Sequence, residues 1–587
     1  MNRTRNPFCR LAHRGSAAPH RLIERSWPFG MRPREAGAVF RNAGSARSLV
    51  QSVSARCARV ATSAVVAVAL LGSGVQAQQW DLLITGGTVI DGTGSAPYAA
   101  DVATAGGIIV RVSRTALDPS LANRVIYARG LMVAPGFIDL HAHLDPLMEL
   151  PAAESHVRQG VTTALGNPDG GGPLPLGPYL DSLATIGVGM NVGFLAGHNT
   201  IRRSTMGMDD RAPTPAELER MVAMVDAAMR DGAFGLSTGL RYTPGFYAST
   251  DEVVALAQAA ARRGGIYTSH LRDEGLDLFA GVAEAIDIGR RARIPVVLTH
   301  HKVVGADMWG GSERTLAMID SARAAGIDVM ADQYPYTATH TGISILMPPW
   351  SLAGGTSALM ERLENTQLRD SIVAGIIWNL VNDRGGRDLR RVQFSRVRWD
   401  ESLEGRTLHD WAVREGREPT METGAELVLE AMQRGGANAI FHVLDERDVE
   451  RIMSHPWTAV ASDGRLSRPG EGHPHPRAYG TFPRVLGEYV RERGTLTLEE
   501  AVRRMTGLPA DRLGLTDRGR IAEGRRADIV IFDPGTVRDR ATFAQPHQYP
   551  EGIPYVIVNG AVTVDGGRFM DLRPGTILRG KGQAAEY

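Results

Sequence analysis

Between Ala134 and about Gly514, short apolar runs that each end in a chemically capable residue alternate with amphipathic stretches. The runs end at His143, near Asn167, near His198, at Ser237, at His270, at His300, at Tyr334 and at Asp463. Helical periodicity fills the intervals, as from Thr214 to Asp231, with Pro215 at its start, and from Asp251 to Arg263. Eight strand ends joined by crossover helices predict an α/β fold, a (β/α)8 TIM-like barrel. Reactive side chains of such barrels gather at the C-terminal ends of the strands, and the polar residues fall there. The interval from Tyr334 to Asp463 is too long for one connection. It is expected to hold an inserted helical subdomain at about 342–430.

The flanks read differently. Short alternating strands with glycine turns occur at 81–90 and 107–112, and again at 527–532 and 555–564. These predict a small β-sandwich domain built from both ends of the mature chain, 78–133 and 515–587, around a barrel of 134–514. Further upstream, Arg56 and Arg59 precede the apolar run from Val60 to Leu71, and Gly72 to Ala77 offer small residues for a signal peptidase. The run is shorter than the ~20 residues of a membrane span and suits a secretory core of about 7–15. Residues 1–77 are therefore expected to be a presequence with a secretory signal at 56–77, and the mature protein to be exported, periplasmic or secreted, with no stable membrane span after cleavage. An uncleaved anchor is the competing reading. A downstream start, Met31 among the candidates, would account for residues 1–46.

Charge and cysteine usage narrow the chemistry. The chain has 65 basic and 64 acidic residues. The first 77 hold 12 arginines, no lysine and two glutamates, which leaves 53 basic against 62 acidic residues in the body. A body of net charge −9 argues against a nucleic-acid partner, which requires a basic face. Both cysteines, Cys9 and Cys57, lie in the presequence, so no thiolate is at hand as nucleophile or ligand. The only lysines are Lys302 and Lys581.

His141 and His143 end the first apolar run one residue apart, so in a strand both would point to one side and could grip one ion. His270, His300 and Asp463 end the fifth, sixth and eighth runs. Each alone reads as a hydrogen-bonded loop residue, but five at strand ends read as a metal-hydrolase centre. An ion there lowers the pKa of a water and polarises a carbonyl oxygen, and Asp463 is expected to take the water's proton and pass it to the leaving nitrogen. Nitrogen and oxygen donors favour Zn2+, one or two ions, without excluding manganese, cobalt or nickel. His301 points away from His300 if the strand continues. His340, His442, His473 and His475 are expected to be loop or packing residues.

With these motifs in place, the chain from about 81 to 575 resembles the amidohydrolase superfamily and, within it, the N-acyl-D-amino-acid deacylases. The motifs are the run Pro135 to His143; Gly160-Val-Thr-Thr; Gly239 to Ala248; Thr268-Ser-His-Leu-Arg-Asp-Glu274; Thr299-His-His-Lys302; Asp332-Gln-Tyr-Pro-Tyr-Thr-Ala338; Ser462-Asp-Gly464; and Pro474 to Pro483. The resemblance implies a β-sandwich plus a barrel, zinc, and hydrolysis of the amide of small N-acyl amino acids of the D series. It implies metal roles for His141, His143, His270 and His300 and an acid/base role for Asp463. It also implies contacts of Lys302 and Tyr334 with the substrate's carboxylate or scissile carbonyl.

One departure stands out. The deacylases usually carry Gly-Asn-Cys-Gly after strand two, with the cysteine on the metal. This chain reads Gly166-Asn-Pro-Asp-Gly170, and the fourth strand, Ala233 to Thr238, offers no lysine as a substitute. Asp169 is expected to replace the cysteine through oxygen; the alternative is an Asp-Gly turn that only shapes the loop. His198 either lines the pocket or is structural. Arg241 and Arg272 either fork onto a substrate carboxylate or pair with a nearby acid such as Glu274. Two other functions stay open: a dipeptidase or cyclic-amide hydrolase on the same scaffold, and a non-catalytic binding protein.

Overall fold

The computed structural model describes residues 79–384 and 386–586. The presequence expected at 1–77 lies outside them. Eight parallel strands carry the fold: β1 (Phe137–Asp139), β2 (Val161–Gly166), β3 (Asn191–Phe194, continued by Ala196–Gly197), β4 (Gly235–Gly239), β5 (Ile266–His270), β6 (Val296–Leu298), β7 (Val329–Gln333) and β8 (Thr458–Val460). β1, β2 and β3 pair in order, and from Ala196–Gly197 the pairing continues through β4, β5, β6 and β7 to β8. Just past β8, Gly464–Arg465 pairs in parallel with Ala142–His143, just past β1.

The near-continuous apolar character of these strands follows from burial on both faces. Val297 of β6 and Met330 of β7 pack with Ile138, Leu165, Phe234, Ile266 and Ala459 in one buried cluster. Their neighbours Val296, Leu298, Val329 and Ala331 point the other way, into a larger cluster shared with the helices. Each such side chain, fully removed from water, contributes roughly 1.5–3 kcal/mol. The helices start where the sequence places them. Thr214 caps Pro215–Asp231 by accepting from the Glu217 N–H, the Glu217 carboxylate accepts from the Thr214 N–H, and Pro215 needs no donor in the first turn.

The two ends of the described chain meet in one sheet. Trp80–Val89 pairs with Tyr98–Ala105 on one side and, on the other, with Ala122–Tyr127 and then Met132–Pro135. Met132–Pro135 pairs with Ile529–Phe532, which leads on to Tyr555–Val558 and Ala561–Asp565. The expected sandwich strands thus join in a single nine-stranded network, in which Trp80–Val89 carries a register shift between Ile84 and Gly87 and pairs with Ala122–Tyr127 before it and with Met132–Pro135 after it. The insertion also differs from expectation. Its helices, Gly355–Glu364, Thr366–Asn379, Leu408–Arg414 and Met421–Gln433, accompany an antiparallel sheet of Thr339–Gly342, Asn438–Phe441 and Val392–Arg396. Strands this short give too little periodicity to be read beside long helices. Among the described residues, no helix is long and apolar enough to cross a membrane.

Candidate metal centre

The strand that carries the His-x-His pair breaks at Leu140 and His141 and resumes at Ala142. Asp139 braces the break: its carboxylate accepts from the backbone N–H groups of His141 (3.1 Å) and Ser462 (3.0 Å) and from the Ser462 hydroxyl. The Asp463 N–H donates to the His141 carbonyl at 2.8 Å. The ends of β1 and β8 are thereby tied together, and Asp463 arrives beside the histidines. Burial pushes the Asp139 carboxyl up to about 6 against these hydrogen bonds.

Nε2 of both His141 and His143 face Asp463 Oδ1, at 3.5 and 3.1 Å, and Asp169 Oδ2, at 3.6 Å each. On the other side of Asp169, Oδ1 lies 3.3 Å from His300 Nε2 and 3.9 Å from His270 Nδ1. The donor atoms fall into two groups, His141–His143–Asp169–Asp463 and Asp169–His270–His300, each within the span of one ion. Nε2 of His141 and Oδ1 of Asp169 are buried with no hydrogen-bond partner among the described residues. Orphaned donors of these types, converging on one spot, fit divalent metal.

The electrostatics agree. Burial opposes charge on Asp463, yet Arg477 and the nearby histidines outweigh it and hold the carboxyl well below the usual range. Asp169 is held low against burial by His141 and His300. Both are ionised, as ligation requires. Burial drives His270 down to about 3, so its ring is neutral. Burial and Lys302 oppose charge on His300, but Asp169 and Asp463 lift it to about 10. The two carboxylates call for positive charge where the rings meet.

A cleft of about 320 Å³ opens over these groups. Four of its residues, Asn167 (φ 59°), Asp169 (54°), His300 (38°) and Asp463 (48°), adopt left-handed backbone conformations. Such strain costs of order 1–3 kcal/mol per residue and persists only where the surroundings enforce it. Lys302 and Tyr334 line the cleft. Lys302 Nζ donates to Glu274 Oε1 at 2.5 Å and lies 2.6 Å from His300 Nδ1. The Tyr334 hydroxyl has no hydrogen-bond partner among the described residues, and burial raises its pKa well above the ordinary value, so it stays a donor.

Three expected pocket residues sit elsewhere. His198 is buried with Nε2 2.9 Å from Glu252, which also pairs with Arg202. This is the structural alternative. Arg241 pairs with Asp383 (2.6 Å) and Asp273 (3.6 Å), and Arg272 makes a two-pronged pair with Glu284, both contacts at 2.8 Å. Neither meets Glu274, and neither lines the cleft. His340, expected to be a loop or packing residue, does line it, with Nε2 2.7 Å from Ser395 Oγ. His301 turns away to Thr315.

Sequence reasoning missed four residues. Arg477 binds Asp463 Oδ2 at 2.8 Å and stacks over Tyr334. Glu274, 3% exposed, backs both histidines of the second group, with Oε1 3.2 Å from His300 Nδ1 and Oε2 3.5 Å from His270 Nε2. Arg384 reaches in from the insertion to Glu274 at 3.5 Å, and Tyr242 packs its ring 4.5 Å from that of His270. Glu274 and Arg477 stand within motifs already singled out, so their positions carried a signal. Arg384 carried none.

Comparison with known proteins places this geometry in context. A profile described as Amidohydrolase family matches residues 124–340 and 383–564. An N-acyl-D-glutamate deacylase of Alcaligenes xylosoxydans xylosoxydans is 38% identical over 526 residues, 86% of this chain and 97% of that protein. The crystal structure of the N-acyl-D-glutamate deacylase from Bordetella bronchiseptica, complexed with zinc and a phosphonate mimic of the tetrahedral intermediate, matches with a TM-score of 0.73 at 36% identity, covering 85% of this chain and 99% of that one. A D-aminoacylase structure that addresses a binuclear metal centre, with one-metal activation and second-metal attenuation, matches with a TM-score of 0.72 at 35% identity, covering 85% and 100%.

Proposed function

The chain belongs to the amidohydrolase family, in its N-acyl-D-amino-acid deacylase group, and from that premise we propose that it hydrolyses the amide of N-acyl-D-amino acids with divalent metal, zinc in the first place. The observation that carries the reading is the seat of Asp463, with Oδ1 against His141 and His143 and Oδ2 against the buried Arg477. His141, His143, His270 and His300 would hold the metal. When bound, it supplies Lewis acidity, easing deprotonation of a water and polarising the scissile carbonyl.

The chain's own groups do the rest. Asp463, kept ionised by Arg477, accepts the proton as the water oxygen bonds to the amide carbon. It returns the proton to the nitrogen as the C–N bond breaks, leaving a free amine and a carboxylic acid, which gives its own proton to solvent or to the amine. Lys302, Arg477 and the unpartnered Tyr334 hydroxyl offer two cations and a donor to the substrate's free carboxylate or its carbonyl oxygen. Glu274 holds the His270 and His300 rings in place from behind.

Two coarser matters belong to the same reading. The eight parallel strands and the pairing of 464–465 with 142–143 support a closed (β/α)8 barrel with its active end at this cleft. The basic and apolar pattern of 56–77 supports export before the enzyme acts. The testing experiment is a screen of the purified, zinc-loaded protein against N-acyl-D-amino acids, their L counterparts, dipeptides and hydantoins. Release of free D-amino acid, lost in Asp463→Asn, is the expected result; turnover confined to dipeptides or hydantoins would replace the reading.

A further inference from the structure

We propose that Asp169 bridges two divalent ions, one carboxylate oxygen to each, and that this bridge opens the centre to manganese beside zinc. The proposal rests on the reading of the four histidines as metal ligands.

The two oxygens of Asp169 face different histidine pairs. Oδ2 lies 3.6 Å from Nε2 of both His141 and His143, and Oδ1 lies 3.3 Å from His300 Nε2 and 3.9 Å from His270 Nδ1. Among the described residues it alone is common to the two donor groups. Oδ1 and His141 Nε2 are buried without hydrogen-bond partners among the described residues, and the polar atoms they face belong to the same two donor groups.

The loop that carries Asp169 is built to hold it there. Asn167 and Asp169 both adopt left-handed backbone conformations, φ 59° and 54°, which asparagine and aspartate tolerate better than other side chains do. The Ser237 hydroxyl donates to the Asn167 carbonyl at 2.7 Å and accepts from the Gly170 N–H at 3.2 Å. The Asn167 amide reaches the Leu195 carbonyl at 3.1 Å, and the Thr200 N–H donates to the Gly170 carbonyl at 3.0 Å. A Cβ on Gly239 would stand 2.3 Å from the Asp169 carbonyl, so β4 presses against the loop from below. A turn that merely connected two elements would not need contacts to three of them.

The donor chemistry follows. No cysteine occurs among the described residues, and Asp169 joins the pairs through a hard oxygen. Imidazole suits zinc and carboxylate suits manganese, so an all-nitrogen-and-oxygen pair of sites discriminates less against manganese than one with a thiolate bridge.

The test uses the full chain, stripped with chelator and titrated with ZnCl2 or MnCl2 while bound metal is counted. The wild type is expected to take two ions per chain, and its manganese form to give the electron paramagnetic resonance spectrum of a coupled pair. Asp169→Asn, which keeps the shape, and Asp169→Ala should lose the coupling and weaken at least one ion by more than the roughly 10–100-fold that removal of an outer-shell partner costs. Asp169→Cys should move the competition toward zinc by on the order of tenfold. Circular dichroism separates these effects from misfolding, and the isosteric Asp169→Asn decides alone if Asp169→Ala does not fold. Two coupled ions at wild-type affinity in every folded variant of Asp169, or a single ion in the wild type, would overturn the bridge alone. A wild type that binds neither metal would overturn the metal reading beneath it.

Discussion

Glu274 is the most informative residue to perturb, because it touches no expected substrate atom and yet backs half the metal centre. Its carboxylate faces His300 Nδ1 at 3.2 Å and His270 Nε2 at 3.5 Å, and it neutralises Lys302 at 2.5 Å. Burial opposes its charge, but His270 and Lys302 hold its carboxyl well below the usual range. In Glu274→Gln the amide oxygen can still accept from one ring, while the amide nitrogen must turn a donor toward the other. One charge-assisted contact is therefore lost. Such contacts contribute about 1.5–3 kcal/mol, which corresponds to a roughly 10–150-fold rise in metal Kd. The assay is chelator-competition titration of zinc into the stripped protein, with wild type and variant side by side. An unchanged zinc Kd in Glu274→Gln, in a protein that still folds, would refute the claim that this carboxylate positions the two histidines.

Other outcomes follow from the same geometry. Asp463→Asn should lower kcat by about 10²–10⁴, the usual yield of a positioned acid/base, with metal still bound by the histidines. Glu252, buried between His198 and Arg202, is held below its ordinary range by them against burial. Its contribution is present above the unfolded carboxylate pKa and is lost as pH falls through the depressed folded value. Glu252→Gln should thus cost about 3–5 kcal/mol at pH 7, a deficit that narrows below about pH 4 in denaturant melts. Stripping the metal should lower the unfolding temperature, since an ion at 100 times its Kd contributes about 2.7 kcal/mol; re-addition of zinc should restore it.

What could be read in the chain was whatever a strand's period exposes. His141, His143, His270, His300 and Asp463 end apolar runs, and parallel pairing brings those ends together, all but the buried His141 lining one cleft. Asp169 stood out only through the resemblance, as the candidate oxygen donor next to the proline that stands where the deacylases carry their cysteine. Arg241 was misplaced because its counter-charge, Asp383, comes from the insertion 142 residues on, and no local pattern announces that pairing. Arg384 stayed hidden for the same reason. Glu274 lies four residues beyond His270, past the strand end, where loop geometry rather than periodicity decides what a side chain meets. The insertion's sheet escaped notice because strands of four or five residues leave little pattern.

In the proposed function, histidines distant in sequence hold metal at a cleft where Asp463 moves the proton of an amide hydrolysis. The most direct measurement is the rate at which the zinc-loaded protein frees amino acid from a panel of N-acetyl-D-amino acids. Turnover is expected to disappear on chelation, to return with zinc, and to be lost in Asp463→Asn. Equal release before and after chelation, or no release from any member of the panel with zinc, manganese or cobalt bound, would contradict the proposed function.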